Sequence, residues 1–507
     1  MKSFLEKAEK WRWDWLLVIL MFAGILFINY LDVLKYHYYV PPGTDSAVHT
    51  SIVKKILSGE SLRDVVYPPG FHYFIALLTK ILHSDPIKIM VYFYPSLMFF
   101  STIAVYLFAR AFFDKTTAFL VLFLYGFISP APRFTPLWDG GFPNLLGADF
   151  LMVLGFLYFL KAYQTERLKE SLLAGLFIGL VPFFHHFSTY LMTILIFGLS
   201  LALLFFSFFK KDNLPKKLLV LFSIFLVAFL LGIYPSYVYF GRFFLQEIAL
   251  RFTVYAASLE GLLKHSTGLQ KNSEAIPLSD YALVLSPYLW YLGWLSLPFV
   301  FRGIIKEKKT EYLFVFVWFL LVSILSRPVA LSPLPGRVAR EIAIPLVFLS
   351  AIGIKEFTLF FKSRWQRFTI VAAIAIFLFV GLTDLSSWVG KYNYMIFVSG
   401  LDKQALDWVK ENTPKDALFA VAPHQVWFNL LTERPAVEIG IDLSNIKNFD
   451  YLYINRWQRG WLWGFDPTDY RLVRQKAAFS KELELMKTFG EANEKGIAIY
   501  KVRRNGL

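Results

Sequence analysis

Pro41-Pro42-Gly43-Thr44-Asp45-Ser46-Ala47-Val48-His49, resumed at Tyr67-Pro68-Pro69-Gly70-Phe71-His72, is the densest polar and turn-forming stretch of an otherwise apolar N-terminal region. The two Pro-Pro-Gly turns fix backbone angles and remove N–H donors, so they stiffen both ends of a loop. Between them Ala47, Val48, Ile52, Ile56 and Leu57 recur at helical spacing. That spacing predicts a short amphipathic helix over 45–58, lying on a membrane surface and ended by Gly59. Residues 71–82 are apolar but short of the roughly 20 residues that cross a bilayer. They predict a helix that dips into one face.

The rest of the chain reads as walls around this loop. It has 507 residues, 56% of them hydrophobic and 19% aromatic. Soluble domains have roughly 45–50% apolar residues. Here the excess falls in runs of about 20, the mark of a polytopic α-helical membrane protein. There is no cysteine, which excludes disulfides, thiolate metal sites and cysteine nucleophiles. The net charge of +15 does not point to nucleic acid, because the basic residues gather in short loops between apolar runs. Lys161, Arg167 and Lys169 form one group, Lys210, Lys211, Lys216 and Lys217 a second, and Arg302, Lys306, Lys308 and Lys309 a third. The positive-inside rule makes these loops cytoplasmic. Lys2, Lys7, Lys10 and Arg12 place the N-terminus on the same side, with 15–34 as an anchor that is not cleaved.

Alternating sides in this way gives about eleven spans. The last falls at 368–385, and the C-terminus emerges on the outer side. The expected organisation is a transmembrane unit over 1–389, with 35–87 as its first outside loop, and a small extracytoplasmic α/β domain over 390–507. In that domain 402–411 has the pattern of an amphipathic helix stopped by Pro414. Residues 418–421, 451–454 and 497–502 read as strands. The location is thus a multi-pass cell membrane protein with membrane lipids around it.

Chemistry-bearing residues collect at the outer ends of the spans. Asp45 and His49, four apart, share a helix face and could bind a divalent cation or act as base and partner. Asp45 equally suits a plain helix N-cap. Tyr67 and His72 put hydrogen-bonding groups at the membrane boundary, where aromatics also serve as anchors. Asp139, in Trp138-Asp139-Gly140-Gly141, fits a second acid for a metal or sugar hydroxyl, or an ordinary turn. Asp149 falls inside a span, where an ionisable group is costly. His185 and His186 end a span at the outer level, as ligands or as a helix terminus. Arg337 and Arg340 flank Glu341 and fit phosphate binding or pairing with that acid. No Gly-rich nucleotide loop is present on the inner side. Chemistry outside, where nucleotide sugars are absent, calls for a membrane-borne donor such as a lipid phosphate.

This pattern resembles the GT-C superfamily of integral-membrane glycosyltransferases. The resemblance lies in the acidic Gly43-Thr44-Asp45-Ser46-Ala47-Val48-His49 loop with its surface helix, and in Tyr67-Pro68-Pro69-Gly70-Phe71-His72 leading a second short helix. Protein mannosyltransferases and aminoarabinose transferases share the plan. An uncharacterised archaeal and bacterial branch is similar at Gly140-Gly141-Phe142-Pro143-Asn144. The resemblance implies sugar transfer from a polyprenyl-phosphate donor, such as a dolichyl phosphate, to an extracytoplasmic acceptor. It implies Asp45 as the catalytic carboxylate, and Arg337 and Arg340 on the donor phosphate. His49, Tyr67, His72, Asp139, His185 and His186 would contact substrate or metal. Dependence on Mg2+ or Mn2+ stays open, with Asp45, His49 and Asp139 as candidate ligands. The Trp-Trp-Asp-x-Gly signature of oligosaccharyltransferases is absent, since Trp461-Leu462-Trp463-Gly464-Phe465-Asp466 does not match it in order. That argues against transfer to asparagine. A transporter or lipid flippase is the alternative, although it would carry repeated halves and charges near the bilayer midplane.

Overall fold

The computed structural model describes residues 2–43, 45–62, 67–130, 133, 140–233, 281, 285–327, 335–359, 398–422, 427–439, 442–456, 467–491 and 496–503. The chain opens with a long helix α1, Lys2–Tyr36. The surface helix α2 is Ser46–Ser58, ended by Gly59 in the left-handed conformation (φ 76°). The short apolar helix α3 is Gly70–Leu82. Helix α4, Pro86–Phe112, starts where Asp85 accepts a hydrogen bond from the Ile87 N–H and proline needs none. Helix α5, Lys115–Phe123, is capped by Asp114 and runs into a π-helical turn, Leu124–Ile128.

Helix α6 spans Phe142–Thr165 and contains a second π-helical segment, Leu145–Met152. Helices α7, Leu168–Phe184, and α8, His186–Lys210, are separated by His185 alone, whose backbone is extended (φ −154°, ψ 121°). Helix α9, Leu214–Ala228, ends in the π-helical Phe229–Ile233. Then come α10, Pro287–Leu295, and α11, Leu297–Ile305. The break at Ser296 precedes Pro298, which has no N–H to continue the ladder. Helices α12, Thr310–Leu325, α13, Pro335–Glu341, and α14, Ala343–Thr358, follow.

Among the described residues five helical runs are long and apolar enough to cross a membrane: α4, α6, α8, Leu214–Gly232 and Pro287–Ile305. Shorter apolar helices are Trp15–Leu31, α3, Lys115–Ile128 and α12. The span expected at 368–385 lies outside the described residues. The bundle packs on aromatic side chains. Trp318 of α12 meets Phe156 of α6 edge to face at 5.0 Å, and Phe108 of α4 meets Phe348 of α14 at 5.2 Å. Such pairs add about 0.5–1.5 kcal/mol beyond burial.

The C-terminal part consists of α15 (Gly400–Asn412), β1 (Phe419–Ala422), α16 (Phe428–Thr432), β2 (Ala436–Glu438), β3 (Tyr451–Ile454), α17 (Pro467–Phe479), β4 (Leu483–Phe489) and β5 (Ile497–Val502). The sheet order is β2-β1-β3-β5-β4. The pairs β2–β1 and β1–β3 are parallel, and β3–β5 and β5–β4 are antiparallel. Strict alternation sends Phe419, Val421, Tyr451, Tyr453, Ile497 and Ile499 into one apolar cluster, and Ala420, Ala422, Leu452, Ile454, Ala498 and Tyr500 into another. The first cluster is continuous with the membrane unit. It includes Val53, with Ile56 and Leu57 at its edge, alongside Trp427 and Phe428. Lys54 Nζ donates to the Leu430 carbonyl at 3.1 Å. The sheet therefore rests on α2.

Candidate active site

Asp45 stands just ahead of α2 but makes no side-chain cap, so the N-cap alternative fails. Its Oδ2 accepts a hydrogen bond from the Tyr67 hydroxyl at 3.1 Å. The local tie comes from Ser46, whose Oγ donates to the carbonyls of Gly43 (2.6 Å) and Pro41 (3.0 Å). The second polar loop then presses on this point. Gly140 has φ +71°, and a Cβ there would lie 2.8 Å from the Ser46 nitrogen and 3.2 Å from that of Asp45. Only glycine allows so close an approach without strain. Gly70 does the same for α3, since a Cβ there would lie 2.4 Å from the Phe183 carbonyl oxygen, two residues before His185.

These contacts frame a cavity of about 370 Å³ of atom-free space, part of it open to solvent. Its lining is Asp45, His49, Tyr67, Gly141, Pro143, Asn144, His185, Phe187, Arg337 and Arg340. Six residues singled out in the sequence, from four chain segments, thus meet around one space. His72 is fully buried behind His49. His186 does not line the cavity; it opens α8 instead of ending α7, and its ring lies 5.8 Å from that of Tyr67. Asp139 lies outside the described residues.

His49 and His72 form a buried imidazole pair, with Nδ1 of the first 3.0 Å from Nε2 of the second. Burial holds His49 well below its ordinary range; His72 adds to the effect, and a backbone hydrogen bond with Gly140 opposes it. Burial brings His72 down to about 4. Both rings are therefore neutral at pH 7. His49 lines the cavity while it is engaged by His72 and Gly140. Its i, i+4 spacing from Asp45 showed a shared face but not a partner from another helix. Among the described residues no group of three His, Cys, Asp or Glu is placed to hold a metal ion.

His185 does not merely terminate a helix. Its Nδ1 accepts from the Ser188 N–H at 3.2 Å, so it caps the start of α8. Burial lowers its pKa well below the usual value, followed by the charges of His186 and Arg337. Ser188 Oγ lies 2.8 Å from His185 Nδ1 and donates to Asn144 Oδ1 at 3.0 Å. Asn144 Nδ2 in turn donates to Glu341 Oε1 at 3.1 Å. This chain from His185 to Glu341 was not legible in the sequence, because its links are uncharged side chains. Asn144 was visible only as the end of the Gly-Gly-Phe-Pro-Asn stretch.

A domain family described as a domain of unknown function, DUF6798, matches residues 402–438, which hold α15, β1, α16 and β2. No curated protein matches the chain by sequence. Solved structures match its backbone. The archaeal oligosaccharyltransferase AglB from Archaeoglobus fulgidus, in complex with an inhibitory peptide and a dolichol-phosphate, has a TM-score of 0.63 at 13% identity, covering 96% of this chain and 74% of that one. The same oligosaccharyltransferase is also known in complex with Zn and sulfate. ArnT from Cupriavidus metallidurans, bound to undecaprenyl phosphate, has a TM-score of 0.55 at 11% identity, covering 95% of this chain and 97% of that one. Arabinofuranosyltransferase AftD from Mycobacteria has a TM-score of 0.56 at 13% identity, covering 97% of this chain and 40% of that one. Over most of its length the chain is built on the GT-C fold of integral-membrane glycosyltransferases.

Proposed function

We propose that this chain is a membrane glycosyltransferase that moves a sugar from a polyprenyl-phosphate donor to a hydroxyl acceptor on the extracytoplasmic side. The observation that carries this reading is the cavity itself, where one carboxylate, Asp45, shares a wall with Arg337 and Arg340. In the transfer, the acceptor oxygen forms a bond to the anomeric carbon as the bond from that carbon to the phosphate oxygen breaks. The acceptor proton passes to Asp45, and polyprenyl phosphate leaves as the anion. Tyr67 holds the carboxylate in place through its hydroxyl. The two guanidiniums stabilise the charge that develops on the leaving phosphate, where fixed donors are worth most. Neutral His185 offers its ring to a sugar hydroxyl or phosphate oxygen without adding charge. The described residues do not supply a metal-binding set, and Asp45 is their one acid on the cavity wall.

The neighbours that were solved with dolichol-phosphate and undecaprenyl phosphate support the choice of donor class. The test is sugar transfer by purified protein in detergent from a panel of radiolabelled polyprenyl-phosphate sugars. Membrane extract serves as acceptor, with and without Mg2+ or Mn2+, for wild type beside Asp45→Asn. Turnover of a donor by wild type, lost in a folded Asp45→Asn protein, is expected. Equal turnover by the two proteins would remove Asp45 from its role. Absence of turnover with every donor would sink the transferase reading.

A further inference from the structure

His185 has partners inside the protein for every polar atom but one. Its N–H donates to the Val181 carbonyl at 3.1 Å. Its carbonyl accepts from the Thr189 N–H at 3.1 Å and from the Thr189 hydroxyl at 2.9 Å. Ring Nδ1 accepts from the Ser188 N–H at 3.2 Å. The residue is 4% exposed. Nε2 is neither bonded to a described residue nor sealed from solvent, and the open space beside His185 is the cavity it lines.

The same partners locate the ring proton. A backbone N–H can only donate, so Nδ1 is the bare nitrogen and a ring with one proton carries it on Nε2. Ser188 Oγ brings a second donor to that side, with its one hydrogen between Nδ1 at 2.8 Å and Asn144 Oδ1 at 3.0 Å. Asn144 is turned this way because its Nδ2 donates to Glu341. Burial keeps the ring from taking a second proton. Gly147 lets α6 press on this point, since a Cβ there would lie 3.1 Å from both His185 Cβ and Ser188 Oγ.

Around His185 the lining includes the uncharged Asn144, Pro143 and Phe187, whose ring lies 6.0 Å from the imidazole. Two guanidiniums already serve the phosphate. A fixed N–H beside an amide and an aromatic ring suits a ligand with hydroxyls and C–H faces. We propose that His185 divides its ring between fold and substrate: Nδ1 holds the start of α8, and Nε2–H donates to a hydroxyl oxygen of the donor's sugar. This rests on the polyprenyl-phosphate reading above. The charge of Arg337 also reaches His185, so a phosphate oxygen is the rival partner.

The test uses the full-length protein in detergent, with membrane extract as acceptor. The donors are undecaprenyl phosphates carrying radiolabelled mannose, glucose, galactose or arabinose. Sugar-free undecaprenyl phosphate is a second probe, read by binding. His185→Asn keeps an oxygen where Nδ1 accepts, so it holds the cap and loses the Nε2 donor. His185→Gln, the conservative variant, brings an N–H to the place of Nε2 and loses the cap. For the donor that wild type turns over, His185→Asn should lower kcat/KM by about tenfold or more and melt within about 1 °C of wild type. His185→Gln should melt about 2 °C or more lower and recover kcat/KM to within about threefold of wild type. Neither should change affinity for the sugar-free lipid by more than about twofold. Equal kcat/KM for His185→Asn and wild type overturns the proposal. So does the same ranking of the two variants in melting and in turnover, which a merely structural role predicts. Loss of sugar-free binding by His185→Asn, in step with its loss of kcat/KM, gives Nε2–H to the phosphate and overturns the sugar assignment. A His185→Asn protein that does not fold overturns the division of the ring; if His185→Gln does not fold, the readouts of His185→Asn decide alone. Turnover of no donor by wild type is a separate result, which overturns the donor reading and the proposal with it.

Discussion

The two ends of the helical bundle handle charge in opposite ways. At the end away from the cavity, cations sit against acids. Lys217 Nζ lies 3.0 Å from Glu166, Lys309 lies 2.5 Å from Glu307, and Lys355 lies 3.4 Å from Asp114 and 3.1 Å from Glu356. At the cavity end, two arginines and one carboxylate border a hollow among imidazoles that burial keeps neutral. Pairwise matching clamps neighbouring helices and leaves little field beyond the pair. A hollow with an excess of fixed positive charge on its wall is ready for an anion. The difference separates charges that hold the protein together from charges that face a ligand.

Substitutions can break this contrast. The largest effect is expected from Asp45→Asn, a loss of about 10²–10⁴-fold in kcat with an unchanged melting temperature, the range of a lost general base. Next, Arg337→Ala and Arg340→Ala should each lower kcat/KM by about 10–100-fold, and lysine should restore only part of it, because a point charge replaces a fork. Donor-concentration series for each variant check this. If either alanine variant keeps full kcat/KM, that arginine belongs with the clamps.

Gly140→Ala should cost about 2 kcal/mol through a left-handed residue and a clash with the Ser46 backbone. It should lower turnover as well, since the same contact fixes Asp45. A melting temperature equal to that of wild type would show that the loop yields freely. The imidazole pair predicts a pH effect with a definite sign. His72 titrates near 6.5 when unfolded and near 4 when folded, so the unfolded chain binds the extra proton. Stability is present in full above pH 6.5 and falls as the pH drops toward 4. Melting curves across that window should show the decline, and His72→Gln should flatten it. The smallest effect belongs to the far end. Lys309→Ala should change stability by at most about 1 kcal/mol and leave turnover unchanged, as melting and initial rates would reveal.

The parts of the molecule legible in the sequence are those with a period or a charge. Apolar runs marked the helices, and Asp45, Arg337 and Arg340 stood out because ions at the ends of such runs are conspicuous. The structure brings all three to one cavity. Strands β1, β3 and β5 were visible as β-branched and aromatic runs, although β1 sits one residue later than expected. Strand β4 was missed because Glu484, Lys487 and a mostly exposed side chain row disguise an edge strand. Helix α17 was missed as well, its apolar residues being few. The links Asn144 and Ser188 carry neither period nor charge, so nothing in the sequence marks them as a network. The contact between His49 and His72 was not legible either, because pairing of two residues 23 apart on different helices is a property of packing, not of spacing.

The seat of the sheet on α2 has a practical consequence. The surface helix that begins beside Asp45 presents Val53, Ile56 and Leu57 to the same apolar cluster as Trp427 and Phe428, with Lys54 bonded to Leu430. A chain shortened ahead of Ser399 would leave that side of the helix bare, to be taken up by detergent or by another shortened copy. Asp45 would then ride on a helix with no floor. The soluble-looking tail is thus no detachable accessory: expression, crystallisation and assay call for the uncut polypeptide.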